Sequence, residues 1–267
     1  LYTADQLKGL GGVKHAQIVG LSQDKRAAQI MVTPETAPTD AATVNVAHAL
    51  RSATSEIEDA TGTDIGLTGL TAVQMDITEE LSGAMPLYLA IVVGLAIVLL
   101  MVVFRSILVP LVAGLGFLLS VGAAFGVTVL VFQEGLFGLV NTPGPILSFL
   151  PIFMIGVTFG LAMDYQVFLV TRMREGFVNG KTAGNATSNG FKHGARVVTA
   201  AALIMISVFA AFILMDEPFI KTMGFALAAG VLIDAFVVRM MIIPATMFVL
   251  DKKAWWFPRW LDKITPN

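Results

Sequence analysis

The chain has 267 residues, 56% of them hydrophobic and only 13% charged, and its mean hydropathy of +0.79 excludes a water-soluble globule in favour of an integral membrane protein. A formal net charge of −2 conceals a sharp asymmetry, because between Met85 and Thr171 the only charges are Arg105, Glu134 and Asp164. The absence of cysteine excludes disulfides, thiolate metal sites and cysteine nucleophiles, and His15, His48 and His193 are scattered without ligand spacing, so no metal site is expected.

Residues 1 to about 82 read as a water-soluble domain of short alternating elements. Strands are expected at 13–20 and 27–33, a helix from Pro34, Pro38 and Asp40 to about Ala60, a third strand at 65–70, and a helix at 71–81 leading towards the membrane. This β-β-α-β-α order suits part of a split β-α-β sandwich. Five apolar segments follow, each close to or above the ~20 residues that span hydrocarbon, at 86–104, 108–132, 146–171, 195–215 and 219–250. Gly114, Gly122 and Gly126 in the second, and Ala200 to Ala202 in the fourth, suit close helix packing in lipid.

Lysines and arginines set the expected orientation. Arg105, then Arg172, Arg174, Lys181, Lys192 and Arg196, then Lys252, Lys253, Arg259 and Lys263 fall on one side, whereas Glu134, Asp216, Glu217 and Lys221 fall on the other. By the positive-inside rule the basic loops are cytoplasmic and the first domain is external. An external domain with no export signal before it is expected to be the carboxy-terminal portion of a longer protein. Residues 132–147 are expected to form an external connector with interfacial character, residues 172–196 a short amphipathic helix at the membrane surface, and Trp255, Trp256 and Trp260 an interfacial anchor.

Three polar features inside the spans carry chemistry. Asp164 lies in the third span, where a carboxylate costs at least ~2.5 kcal/mol and usually faces a protein interior. Leu161, Asp164, Tyr165 and Phe168 share one helical face, and Gly156 and Gly160 precede the acid by about two turns and one, where a neighbouring helix would fit. A protonatable group, a phenol and close-packing glycines are what a proton relay needs; the alternative is a structural polar contact between helices. Asp234 and Arg239 in the last span are five residues apart, an offset of about 140° on an α-helix, so each is expected to meet a partner on a neighbouring helix rather than the other, in a structural role or on a proton path, for which Asp234 is the better candidate. Ser207 in the fourth span suits either a backbone hydrogen bond or a proton path. Residues 175–182, E-G-F-V-N-G-K-T, imitate a phosphate-binding loop but have Glu175 where a glycine is needed and no preceding strand, so nucleotide binding is rejected. No nucleophilic triad converges.

These residues carry a resemblance. G-L-A-M-D-Y-Q-V-F-L-V-T-R-M-R-E at 160–175, G-A-R-V-V-T-A-A-A-L-I-M at 194–205, G-V-L-I-D-A-F-V-V-R at 230–239, F-R-S-I-L-V-P-L at 104–111 and G-L-T-G-L-T-A at 66–72 resemble the mycobacterial-membrane-protein-large (MmpL) transporters of the resistance-nodulation-division superfamily. The resemblance implies an α-helical polytopic membrane protein in which residues 1–85 are part of an external, periplasmic α+β porter domain, 86–250 a five-helix transmembrane domain and 251–267 a cytoplasmic tail, set in the bacterial plasma membrane. It also implies the second of two pseudo-repeated halves. Asp164 and Tyr165 match a proton-carrying pair that meets a reciprocal Asp-Tyr pair of the amino-terminal half, and Leu161 and Phe168 match residues lining the same inhibitor-binding cavity; Gln166 matches the motif with no role attached. Proton-driven export of a lipid or glycolipid, often a mycolate-type envelope precursor, is the implied activity, with no enzyme chemistry, no cofactor beyond the coupling proton, and no nucleotide or nucleic acid. A protein-export auxiliary of the same superfamily and a non-transporting, sterol-sensing-like receptor or scaffold are the alternatives.

Overall fold

The computed structural model describes residues 2–24, 26–38, 40–138, 140, 146–180 and 182–258. Two compact units divide between Gly83 and Ala84.

In the first unit helix α1 (Tyr2–Lys8) precedes an antiparallel pair, β1 (Val13–Leu21) and β2 (Ala28–Pro34), and helix α2 (Ala41–Thr61). The small core joins Leu7, Val13, Val46, Leu50 and Ile57, with Ile30 and Val32 of β2 packed on it. Gly12 admits α2 to this core: its φ is +86°, and a Cβ there would lie 2.6 Å from Val46 Cγ2. The turn after β1 is held by the Asp24 carboxylate, which accepts hydrogen bonds from the Ser22 hydroxyl and the Arg26 N–H. These bonds hold the Asp24 pKa below its ordinary value.

The two strands and α2 follow the sequence expectation, but α1 was not foreseen and residues 65–70 do not form a third strand. Ile65 and Leu67 do alternate inward onto the core, which is the pattern that suggested a strand. Their backbone has no ladder to join, because a groove of about 650 Å³ separates residues 66–72 from the edge of β2, and the Ile65 N–H donates instead to Glu58 Oε1 at 2.6 Å. Alternation reports burial; a strand also needs a neighbour.

The second unit is built from long apolar helices. Among the described residues five are long and apolar enough to cross a membrane: α3 (Leu70–Phe104), α4 (Leu108–Phe132), α5 (Leu150–Val178), α6 (Ala183–Ile213) and a last one over Pro218–Trp255. The last comprises α7 (Pro218–Leu232), a π-helical segment (Ile233–Ile242), α8 (Ile243–Leu250) and a final 3₁₀ turn. The chain is therefore a multi-pass membrane protein. The helix expected at 71–81 and the span expected from residue 86 are one continuous helix, α3, which runs through Pro86.

Among the described residues, 172–196 form no separate surface helix of the kind expected. Instead α5 continues to Val178, and after a turn with Gly180 at φ +84° α6 starts at Ala183, where Thr182 accepts from the Asn185 N–H. Glycine decides this. A Cβ on Gly190 would lie 2.6 Å from Met173 N, and one on Gly194 2.7 Å from Leu169 Cδ1, so the two backbones pack far beyond the apolar stretch. Of the expected connector, residues 139 and 141–145 lie outside the described residues, and Leu136–Gly138 form one 3₁₀ turn. Of the tryptophans, Trp255 stacks on Phe177 at 5.5 Å, Trp256 is exposed, and Trp260 lies outside the described residues.

Candidate functional site

The centre of the helical unit holds a polar cluster that three elements build. Asp234 and Arg239, both on the π segment, are 2% and 1% exposed, a depth at which an unpaired charge would not survive. Arg239 Nε donates to Asp234 Oδ2 at 2.6 Å, and Arg239 Nη1 donates to Gln166 Oε1 of α5 at 2.8 Å. Ser120 Oγ of α4 lies 3.0 Å from Asp234 Oδ1 and 3.1 Å from the Gly116 carbonyl, so its proton is shared between two acceptors. Gly116 brings α4 this close: a Cβ there would meet Val238 Cγ1 at 2.6 Å.

Asp234 and Arg239 were expected not to meet within one helix, and they do. The expectation used α-helical spacing, but a π-helix closes its backbone bonds at i to i+5, which puts residues five apart one above the other. Pro244, in the first turn of α8, has no N–H to give to the turn before it, so the ladder changes register where the charged pair needs it. The pair is thus an internal feature of one span, tied to α5 and α4 by neutral side chains.

Asp164 is placed differently. It is the middle residue of α5, with as much helix back to Leu150 as on to Val178, and its side chain is exposed at the surface of the chain rather than turned inward. Gly160 on the same face has nothing within 4 Å of where a Cβ would be, and Gly156 meets only the Tyr88 hydroxyl, at 3.1 Å. The expectation that both glycines admit a neighbouring helix thus holds in this chain only in part, at Gly156. Tyr165 and Leu161 are half-buried against the core of the helical unit, and Phe168 is half-buried with the Arg172 guanidinium 5.7 Å over its ring. Ser207 is exposed and donates to its own helix at the Leu203 carbonyl, 2.7 Å away.

Gln166 and Ser120 carry as much of the buried cluster as the charged pair, yet the sequence reading gave neither a role. The available signal was an uncharged polar residue inside an apolar span. Gln166 Nε2 and Thr158 Oγ1 are buried without a hydrogen-bond partner among the described residues. Among the described residues no group of His, Asp and Glu is arranged to hold a metal ion.

The MMPL family model matches residues 5–265. The chain belongs to the MMPL family. Membrane protein YdfJ of Bacillus subtilis is 49% identical over 270 residues, 99% of this chain and 37% of that protein. The mycolic acid-containing lipids exporter MmpL11 of Mycolicibacterium smegmatis is 40% identical over 76% of this chain and 21% of its own length, and the heme uptake protein MmpL11 of Mycobacterium tuberculosis is 38% identical over 82% and 23%. The chain therefore spans between 21% and 37% of the length of these relatives. MMPL members are MmpL/RND-type transporters rather than enzymes, and this chain corresponds to part of one.

Proposed function

We propose that this chain is the portion of a proton-driven exporter in which Asp164 takes up and releases the coupling proton, with Tyr165 beside it, and that the cargo is a lipid or glycolipid of the mycolate envelope-precursor type. The observation that carries the reading is the contrast between the two intramembrane carboxylates. Asp234 is committed, since the Arg239 guanidinium lies 2.6 Å away and both side chains are buried together. Asp164 sits mid-helix on an exposed face, where a partner can approach it and where gaining or losing a proton changes what that face attracts.

That face is completed by another part of the transporter, for which the longer relatives leave room, and which supplies a reciprocal Asp-Tyr pair. The basic ends of the helices are cytoplasmic, residues 1–83 are external and the membrane is the bacterial plasma membrane. Proton entry from outside then releases about 2.3 kcal/mol per charge per 100 mV, which biases two arrangements of the halves. The lipid cargo follows the name of the 40%-identical MmpL11.

The test compares cells carrying the whole transporter with cells carrying Asp164→Asn or Tyr165→Phe at matched membrane abundance. Envelope lipid is expected to accumulate on the cytoplasmic side in both variants. Unchanged lipid distribution in Asp164→Asn removes that carboxylate from the mechanism. The name of the 38%-identical relative gives a second cargo to follow in the same cells: if heme uptake falls while lipid export does not, the carboxylate serves heme and the lipid reading is wrong.

A further inference from the structure

Asp164 has a distance problem. As the middle residue of α5 it is separated from either end of that helix by about 21 Å at ~1.5 Å per residue, and a proton cannot cross such a length of hydrocarbon without water or titratable groups. On the side of the basic loops the structure holds a cavity of about 440 Å³ between α5 and α6. Its α5 wall runs from Phe168 to Asn179, the residue that ends the helix, and its α6 wall from Val197 back to Asn189. The lining residues of α5 therefore cover about 16 Å of rise along the slot, from the end of the helix in to Phe168, one turn or about 6 Å from Asp164.

The lining changes character along its length. At the inner end stand Phe168 and Val197, and further out come Arg172, Glu175 and His193. Arg172 lies 3.3 Å from Glu175 and covers the Phe168 ring with its guanidinium, while His193 Nδ1 lies 2.8 Å from the Asn189 carbonyl of its own helix. Of the other basic groups among the described residues nearby, Lys192 and Arg196 are exposed on α6 and do not line the slot, and Arg174 donates to the Val103 carbonyl of α3. Two titratable groups thus border the slot, Glu175 from α5 and His193 from α6, and imidazole is the one side chain whose unperturbed pKa suits proton exchange near neutrality.

We infer that this slot is the proton's route between Asp164 and the water at the basic end of the bundle, with Glu175 and His193 exchanging the proton at its mouth and the Phe168 ring as its inner stop. The inference rests on the proposed role of Asp164 and adds the path, the side from which it opens and the residues along it.

This chain has no cysteine, so single cysteines introduced into it, in a whole transporter whose remaining part is made cysteine-free, report water access without background. Phe168→Cys, Val197→Cys and, as a control in the same helix as Val197 but outside the slot, Leu203→Cys are exposed in membrane vesicles of both orientations to a membrane-impermeant methanethiosulfonate. Only an ionised thiol in contact with water reacts, so Phe168→Cys and Val197→Cys are expected to label about tenfold faster than the control, and only from the face bearing the basic loops. Labelling no faster than Leu203→Cys, or labelling from the opposite face alone, overturns the route. A second arm follows carbodiimide modification of Asp164 with a pH difference across the vesicle: its extent is expected to track the pH at the basic face and to respond more slowly in His193→Gln and Glu175→Gln. A response unchanged in both variants removes them from the path. Loss of export in Asp164→Asn with a slot that fails both arms sinks this inference alone; retained export in that variant sinks the underlying role instead.

Discussion

The two units use the same ion-pair chemistry to opposite effect. In the first, Arg51 Nη2 lies 2.6 Å from Asp76 Oδ1, with both side chains more than a third exposed. In the second, Arg239 and Asp234 meet at the same 2.6 Å but are 1% and 3% exposed. Equal distances do not mean equal energies. Water screens the outer pair and would solvate either member left alone, whereas the inner pair sits where a lone charge has no such refuge. The comparison teaches that the outer pair is dispensable and that the inner pair is an all-or-none unit.

Breaking the inner unit is expected to have the largest effect. Asp234→Leu should destabilise the helical unit by about 3–5 kcal/mol by leaving Arg239 buried and unpaired, while Asp234→Leu with Arg239→Met should recover most of that loss. Thermal unfolding of the detergent-solubilised protein checks both; a single variant as stable as the parent would mean that Arg239 finds another partner.

Backbone approach sharpens the comparison at the next level. Gly190→Ala puts a methyl 2.6 Å from the Met173 nitrogen and should cost about 1–3 kcal/mol in the same assay. Gly66→Ala in the first unit meets nothing within 4 Å and should stay within about 0.5 kcal/mol. Equal effects at the two glycines would refute the close α5–α6 packing. The smallest change is expected for Arg51→Ala, about 0.2–1 kcal/mol, and the difference should vanish in high salt as screening removes the pair's contribution.

Much of this was legible in the sequence because lipid leaves a span little choice: an apolar run near 20 residues becomes a helix, and α4 has the bounds its composition predicts. What failed was local context that periodicity does not carry. Ile65 and Leu67 showed strand alternation without a partner for their backbone. The basic stretch after Thr171 read as a surface helix because its charges are visible in sequence, while the contacts of Gly176, Gly190 and Gly194 that keep α5 and α6 together are not. At the site, Asp164 and Tyr165 stood out as polar residues in an apolar run, but the meeting of Asp234 with Arg239 depended on a helix type that no residue pattern announced. Gln166 and Ser120 were hidden for a simpler reason: neutral polar side chains are common enough in spans that only their buried partners give them meaning.

The π segment also makes the last span a counting device. Relative to an α-helix it accommodates an extra residue, and a further residue added within it swings everything beyond by about 100°. Inserting one residue between Asp234 and Arg239 would leave every side chain apolar or charged as before, yet the two would stand six apart and face different sides of the helix, so Arg239 would no longer stand over Asp234 or reach Gln166. In this stretch the length of the sequence is itself under constraint, independently of which residues fill it.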